Sequence, residues 1–98
     1  MRLVFNVTSD PEHVKALEQL AALHGQHEAE DDYADGRRYL DFQHFDLEGW
    51  IVSATAAQTE RTFGNIVADN PEAARTIYRA AFTAAYRATV QRLEQQWA

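Results

Sequence analysis

The final thirty residues, DNPEAARTIYRAAFTAAYRATVQRLEQQWA, contain no glycine at all and no proline after Pro71, and this unbroken run limits the fold more than any other feature. Asp69 or Asn70 supplies a capping side chain, and Pro71 opens a helix with its fixed φ. Nothing stops that helix before the last residue. Two stripes run along it. Ala74, Ile77, Ala81, Ala84 and Ala88 form a small-residue stripe suited to close packing on a sheet, and Tyr78, Phe82, Tyr86, Val90, Leu93 and Trp97 form a larger apolar one at steps of four or three. About 27 residues at about 1.5 Å each give a helix about 40 Å long, whereas a compact domain of this size has a radius of gyration near about 13 Å. The expectation is that the C-terminal end overhangs the domain, and that Phe82, Tyr86, Val90, Leu93 and Trp97 form an interface with another copy of the chain; the alternative is that the first helix covers this stripe and the last turns fray.

Upstream, RLVFNVT alternates Leu3, Phe5 and Val7 against Arg2, Val4 and Asn6 and reads as a half-buried strand. SDPEHVKALEQLAALHG then spells out a helix. Ser9 and Glu12 stand at capping-box spacing, Pro11 is in the first turn, Val14, Leu17, Leu20 and Ala21 share a face, and Gly25 is the expected stop. RRYLDFQHFDLEGWIVSATA reads as an antiparallel hairpin. Sidedness selects a three-residue loop closed by Gly49, in which Phe42 faces Val52, Leu40 faces Ala54 and His44 faces Trp50. QTERTFGNIVAD fits a third strand of that meander better than a short helix, with Gly64-Asn65 as a turn. The expected fold is therefore α+β: strand, helix, antiparallel hairpin or meander, and a long C-terminal helix packed on one sheet face, all in a single domain spanning residues 1–98.

At 98 residues and 46% apolar content the chain has enough material for one core without staples. With no cysteine it has no disulfide, thiolate metal site or cysteine nucleophile. The first ten residues reach a helix start without an apolar signal segment, and no later apolar run is long enough to cross a bilayer, so the expected location is cytoplasmic. The net charge of −6 is uneven. Residues 1–49 hold eleven acids against four bases, and residues 50–98 hold four acids against five arginines. An acidic half of this kind argues against direct nucleic-acid binding, whose affinity comes from neutralising phosphates. The interleaving of Arg75, Arg79 and Arg87 with Tyr78, Phe82 and Tyr86 reads instead as cations flanking a packed stripe.

The densest charge lies in HGQHEAEDDYADGRR, where Glu28, Glu30, Asp31, Asp32 and Asp35 occupy eight positions without a base. Placed after a helix that stops at Gly25, they are expected in an exposed, extended loop with no folding role. His24 and His27 beside them are the one candidate metal set, but Gly25 between them breaks the shared helical face, and neither metal nor cofactor is expected. No catalytic set is expected either. Ser9 reads as a cap, Ser53 lacks the glycines of a nucleophile elbow, and the four glycines are isolated rather than gathered into a phosphate cradle. Asp41, on the outer side of its strand, and His44, beside Trp50, read as surface and edge residues.

These observations point to a non-enzymatic protein-binding module of the kind used by small inhibitors, antitoxins and immunity-type proteins. Its acidic surface, Glu28, Glu30, Asp31, Asp32 and Asp35, would meet a basic protein partner, and closely spaced carboxylates can imitate a phosphate backbone and occlude a nucleic-acid-binding groove. The alternative is a small homo-oligomeric enzyme or ligand-binding protein with a pocket between sheet and helices, involving Asp41, His44 and Trp50. No membrane partner is expected, and a homo-oligomer is.

Overall fold

The computed structural model describes the backbone of residues 3–39 and 46–97 and the side chains of residues 3–35 and 46–96. Among the described residues two short strands and three helices follow one another as β1 (Leu3–Phe5), α1 (Pro11–Tyr39), α2 (Leu47–Phe63), β2 (Ile66–Ala68) and α3 (Pro71–Trp97). The strands pair in parallel with Leu3 opposite Ile66, Val4 opposite Val67 and Phe5 opposite Ala68. The molecule is a rod of 45 × 21 × 21 Å. Its length is set by α1 and α3 lying side by side in the same direction, with α2 returning antiparallel along them.

Both β–α units start alike. In the first, the Asp10 carboxylate accepts from the Glu12 amide at 3.0 Å and Pro11 takes the first helical position. In the second, Asn70 accepts from the Ala73 amide at 3.1 Å and Pro71 follows. The caps are thus Asp10 rather than Ser9, and Asn70 rather than Asp69. Asp69 has another task, accepting from the amide and hydroxyl of Thr8 and so joining the two loops above the sheet.

The helix-breaking role expected of Gly25 is replaced by a packing role. α1 runs through Gly25 without interruption, and a Cβ there would lie 2.5 Å from the Phe82 carbonyl oxygen and 3.2 Å from the Ala85 Cβ. The missing side chain lets α1 and α3 approach backbone to backbone. Leu17, Ala21, Gly25, Ala29 and Tyr33 make a buried row at steps of four on α1, facing Ala74, Tyr78, Phe82, Tyr86 and Val90 at the same step on α3. Rows at i±4 are the ridges that helices interlock most often. On α3 the rings stack up the row, Tyr78 to Phe82 at 6.0 Å and Phe82 to Tyr86 at 6.3 Å between centroids.

This arrangement corrects three expectations. The large-residue stripe of α3 is the core, and Phe82, Tyr86 and Val90 are buried within the chain while Leu93 packs at the margin of the same cluster. Trp97's side chain lies outside the described residues. For most of its length α3 does not overhang a compact body, since α1 lies along it and, at the 54-residue offset set by His24–Tyr78 and Asp32–Tyr86, reaches the level of Leu93. Nor is there an antiparallel hairpin, for Trp50, Val52 and Ala54 sit on α2, and the only sheet among the described residues is the parallel pair. Leu40, Asp41, Phe42, Gln43 and His44 lie outside the described residues. α2 forms because Asp46 caps it, accepting from the Gly49 amide at 3.1 Å, and because Ile51, Ala54, Thr59 and Thr62 bury at helical intervals. Inside, the Thr59 hydroxyl donates to the Thr55 carbonyl at 2.6 Å. Of the segment 59–69, residues 59–63 end α2, Gly64 and Asn65 turn, and residues 66–68 pair with β1.

Candidate functional site

The acidic run expected in a loop is helical and divides between two faces of α1. Glu28, Asp31, Asp32 and Asp35 stand at i, i+3, i+4 and i+7 on one side. Glu30 faces the other way, 3.5 Å from Arg92 of α3, and accepts from Gln26 at 3.0 Å. Asp31 and Asp35 are exposed, whereas Glu28 and Asp32 are half-buried in an open groove of about 500 Å³ between α1 and α2. The opposite wall is formed by Asp46, Trp50, Ser53 and Ala57 of α2 and its cap.

The electrostatics of this groove are unfavourable to its own charges. Desolvation raises the Glu28 carboxyl above the ordinary carboxylate range, and the charges of Asp32 and Asp31 raise it further, with Arg61 opposing them. Asp32 is raised by desolvation and by Asp31 and Asp35, against the lowering effect of its bond from Tyr86. That bond, 2.7 Å from the Tyr86 hydroxyl to Asp32 Oδ2, comes from a tyrosine buried in the α3 row. Tyr86 is itself raised, mainly by burial and then by its contact with Asp32. Tyr86→Phe should therefore lift Asp32 higher still and cost about 1 kcal/mol at neutral pH, on the scale of one hydrogen bond to a half-buried carboxylate still partly screened by solvent. Denaturation of the two proteins at pH 7 and at pH 4 checks this: the difference should shrink once Asp32 is protonated.

One helical turn earlier, His24 faces inward. With the imidazole neutral, Nδ1 accepts from the Tyr78 hydroxyl at 2.6 Å, and Tyr78 accepts from Thr62 at 3.0 Å, so a single chain of hydrogen bonds joins α1, α3 and α2. Burial lowers the His24 pKa, and His27 lowers it further. The sign follows directly. The unfolded chain takes the proton more readily, so the stability due to neutral His24 is complete above its ordinary value of 6.5 and is lost as pH falls below it. Glu28 and Asp32, raised in the folded state, act oppositely and add stability as they protonate toward the acid side. Comparing wild type with His24→Gln isolates the first effect. Between pH 7.5 and 5.5 wild type should lose stability relative to the variant.

No family model, curated protein or solved structure matches this chain. The site is read from its own geometry. Among the described residues no group of three or more His, Cys, Asp or Glu side chains is placed to hold a metal ion, and His24 and His27 face different surroundings, one the core and the other solvent. No described helix is long and apolar enough to cross a membrane. The structure brings together Glu28 and Asp32 from the expected acidic set, leaves Asp31 and Asp35 beside them on the surface, and directs Glu30 to Arg92. Asp46, Trp50 and Ser53 complete the groove, with the buried Tyr86 hydroxyl bonded to Asp32 behind it, an assembly not apparent from the sequence. The signal for it was the four-residue step from Leu17 through Ala29 to Tyr33, which continues the helix past Gly25 and sets Glu28 and Asp32 on one side.

Proposed function

We propose that this chain is a non-enzymatic protein-binding module whose acidic α1 face receives a basic site of a partner protein, in the manner of small inhibitors, antitoxins and immunity-type proteins. The observation that carries the reading is the placement of Glu28 and Asp32, one helical turn apart and half-buried in the same groove: burial first, and then neighbouring negative charges, disfavour their charged forms, and an arriving guanidinium or ammonium offsets that cost. Asp31 and Asp35 extend the negative surface along the helix, and the −6 net charge steers a basic partner from a distance. A partner site that holds nucleic-acid phosphates has the matching charge, and occupation of it by this face would block the nucleic acid.

The test uses an arginine-rich peptide as the probe and the fluorescence of Trp50, which lines the groove, in a Trp97→Phe background. Wild type and Glu28→Gln/Asp32→Asn are compared at about 50 and about 300 mM salt, a range over which the Debye length shrinks from about 14 to about 6 Å. Wild type should associate faster at low salt and lose that advantage at high salt, while the neutralised protein associates more slowly and with a flatter salt dependence. Equal rates and equal salt slopes for the two proteins would reject the reading.

A further inference from the structure

α2 packs less extensively on α1 and α3 than those two helices pack on each other. Val52, at 68% exposure the most exposed of the large described hydrophobics, stands on its outer side with Ser53, Ala56 and Ala57, all exposed. Along its α1 flank runs the groove of Glu28, Asp32 and Asp46. Along its α3 flank runs a second open groove, of about 370 Å³, where Val52, Thr55 and Ala56 face Arg79, Thr83 and Arg87. Arg87 is neutralised by a two-pronged bond to Glu48, with the longer arm at 2.7 Å. Arg79 is on the surface and makes no ion pair among the described residues. An apolar ridge therefore separates a negative groove from a positive one, and both grooves flank the same stretch of α2.

We propose that this ridge is a self-association surface on which a second copy of the chain lays its own α2, pointing the same way. Charge selects both the occupant and the direction. A twofold axis parallel to the helix exchanges left and right flanks, so the acidic groove of each copy meets the Arg79 groove of the other, and the favourable contact occurs twice. A twofold axis across the helix would set acid against acid and arginine against arginine, an arrangement that like-charge repulsion penalises. At the centre, Val52 meets its symmetry mate, and the short side chains of Ser53 and Ala56 let the two helices come close. The inference rests on the reading of the Glu28/Asp32 groove as a place that accepts cations, and it makes the second copy a competitor there for an outside basic partner.

Sedimentation of the full chain at high micromolar concentration and low salt tests it. Wild type should sediment as a dimer, and Val52→Glu or Arg79→Glu should weaken that dimer at least tenfold while the helical circular dichroism stays unchanged. Glu28→Lys, or Ser53→Lys on the same wall if the first variant loses its helical signal, should also be monomeric alone. Mixed with Arg79→Glu it should restore a dimer, because both exchanged contacts then join opposite charges. A monomeric wild type overturns the proposal but leaves the arginine-peptide binding of the acidic groove standing. A dimer indifferent to Val52→Glu and Arg79→Glu overturns this surface, and failure of the mixed pair to combine overturns the parallel arrangement. If the peptide fails to bind wild type while the dimer forms and responds to these changes, the outside partner is rejected and the second copy remains.

Discussion

Phe82→Ala should destabilise the protein by about 3–5 kcal/mol, the sum of lost transfer energy and an unfilled cavity. The side chain has no exposed surface and its ring lies between those of Tyr78 and Tyr86, so its removal interrupts the aromatic row at the middle. Neither neighbour is free to close the gap. The Tyr78 hydroxyl is bonded to His24 and Thr62, and the Tyr86 hydroxyl to Asp32. Domains of this size are held by only about 5–15 kcal/mol, so a large share of the total would be lost. Chemical denaturation checks it through a fall in midpoint at unchanged slope. A loss below about 1 kcal/mol would mean that the site relaxes, and that Phe82 is not the centre of the core.

Gly25→Ala sets two effects of opposite sign against each other. Helix propensity favours alanine by about 1 kcal/mol in the interior of α1. Packing opposes it, since the added methyl would sit 2.5 Å from the Phe82 carbonyl oxygen. That atom belongs to the backbone of α3 and cannot swing aside, so the helices must part. Overpacking costs about 1–3 kcal/mol and sometimes more, so the expected result is a net loss, deepening from Gly25→Ala to Gly25→Leu. A gain in stability on Gly25→Ala would show that the helices are farther apart at this point than the structure has them.

The same glycine explains much of what the sequence concealed. A lone glycine after an amphipathic stretch reads as a helix end, and only the recurrence of Leu17, Ala21, Ala29 and Tyr33 on either side of it tells a crossing point from a stop. With Gly25 as a stop, the acids beyond it fall in a loop, and the division between Glu28/Asp32 and Glu30 is hidden. Features set by near neighbours were legible. β1 and α3 lie where their own residues put them, and each long helix begins at an Asp-Pro or Asn-Pro step. Over residues 47–56 local preference points the wrong way, since Trp50, Ile51 and Val52 favour a strand, while the cap at Asp46 and the burial of Thr59 and Thr62 act over the whole of α2. The aromatic row of α3 was legible as apolar, but its cover was not, since pairing two helices 54 residues apart in the chain leaves no local trace.

The parallel pairing of Leu3 with Ile66, together with the run of contacts from His24–Tyr78 to Tyr86–Asp32, also bears on how the chain reaches this state. Nearly every tertiary contact that buries the apolar row of α1 waits for α3, whose partner residues lie 54 positions further along the chain. Closing loops of that span before any contact rewards them slows folding, and exposed apolar rows invite association meanwhile.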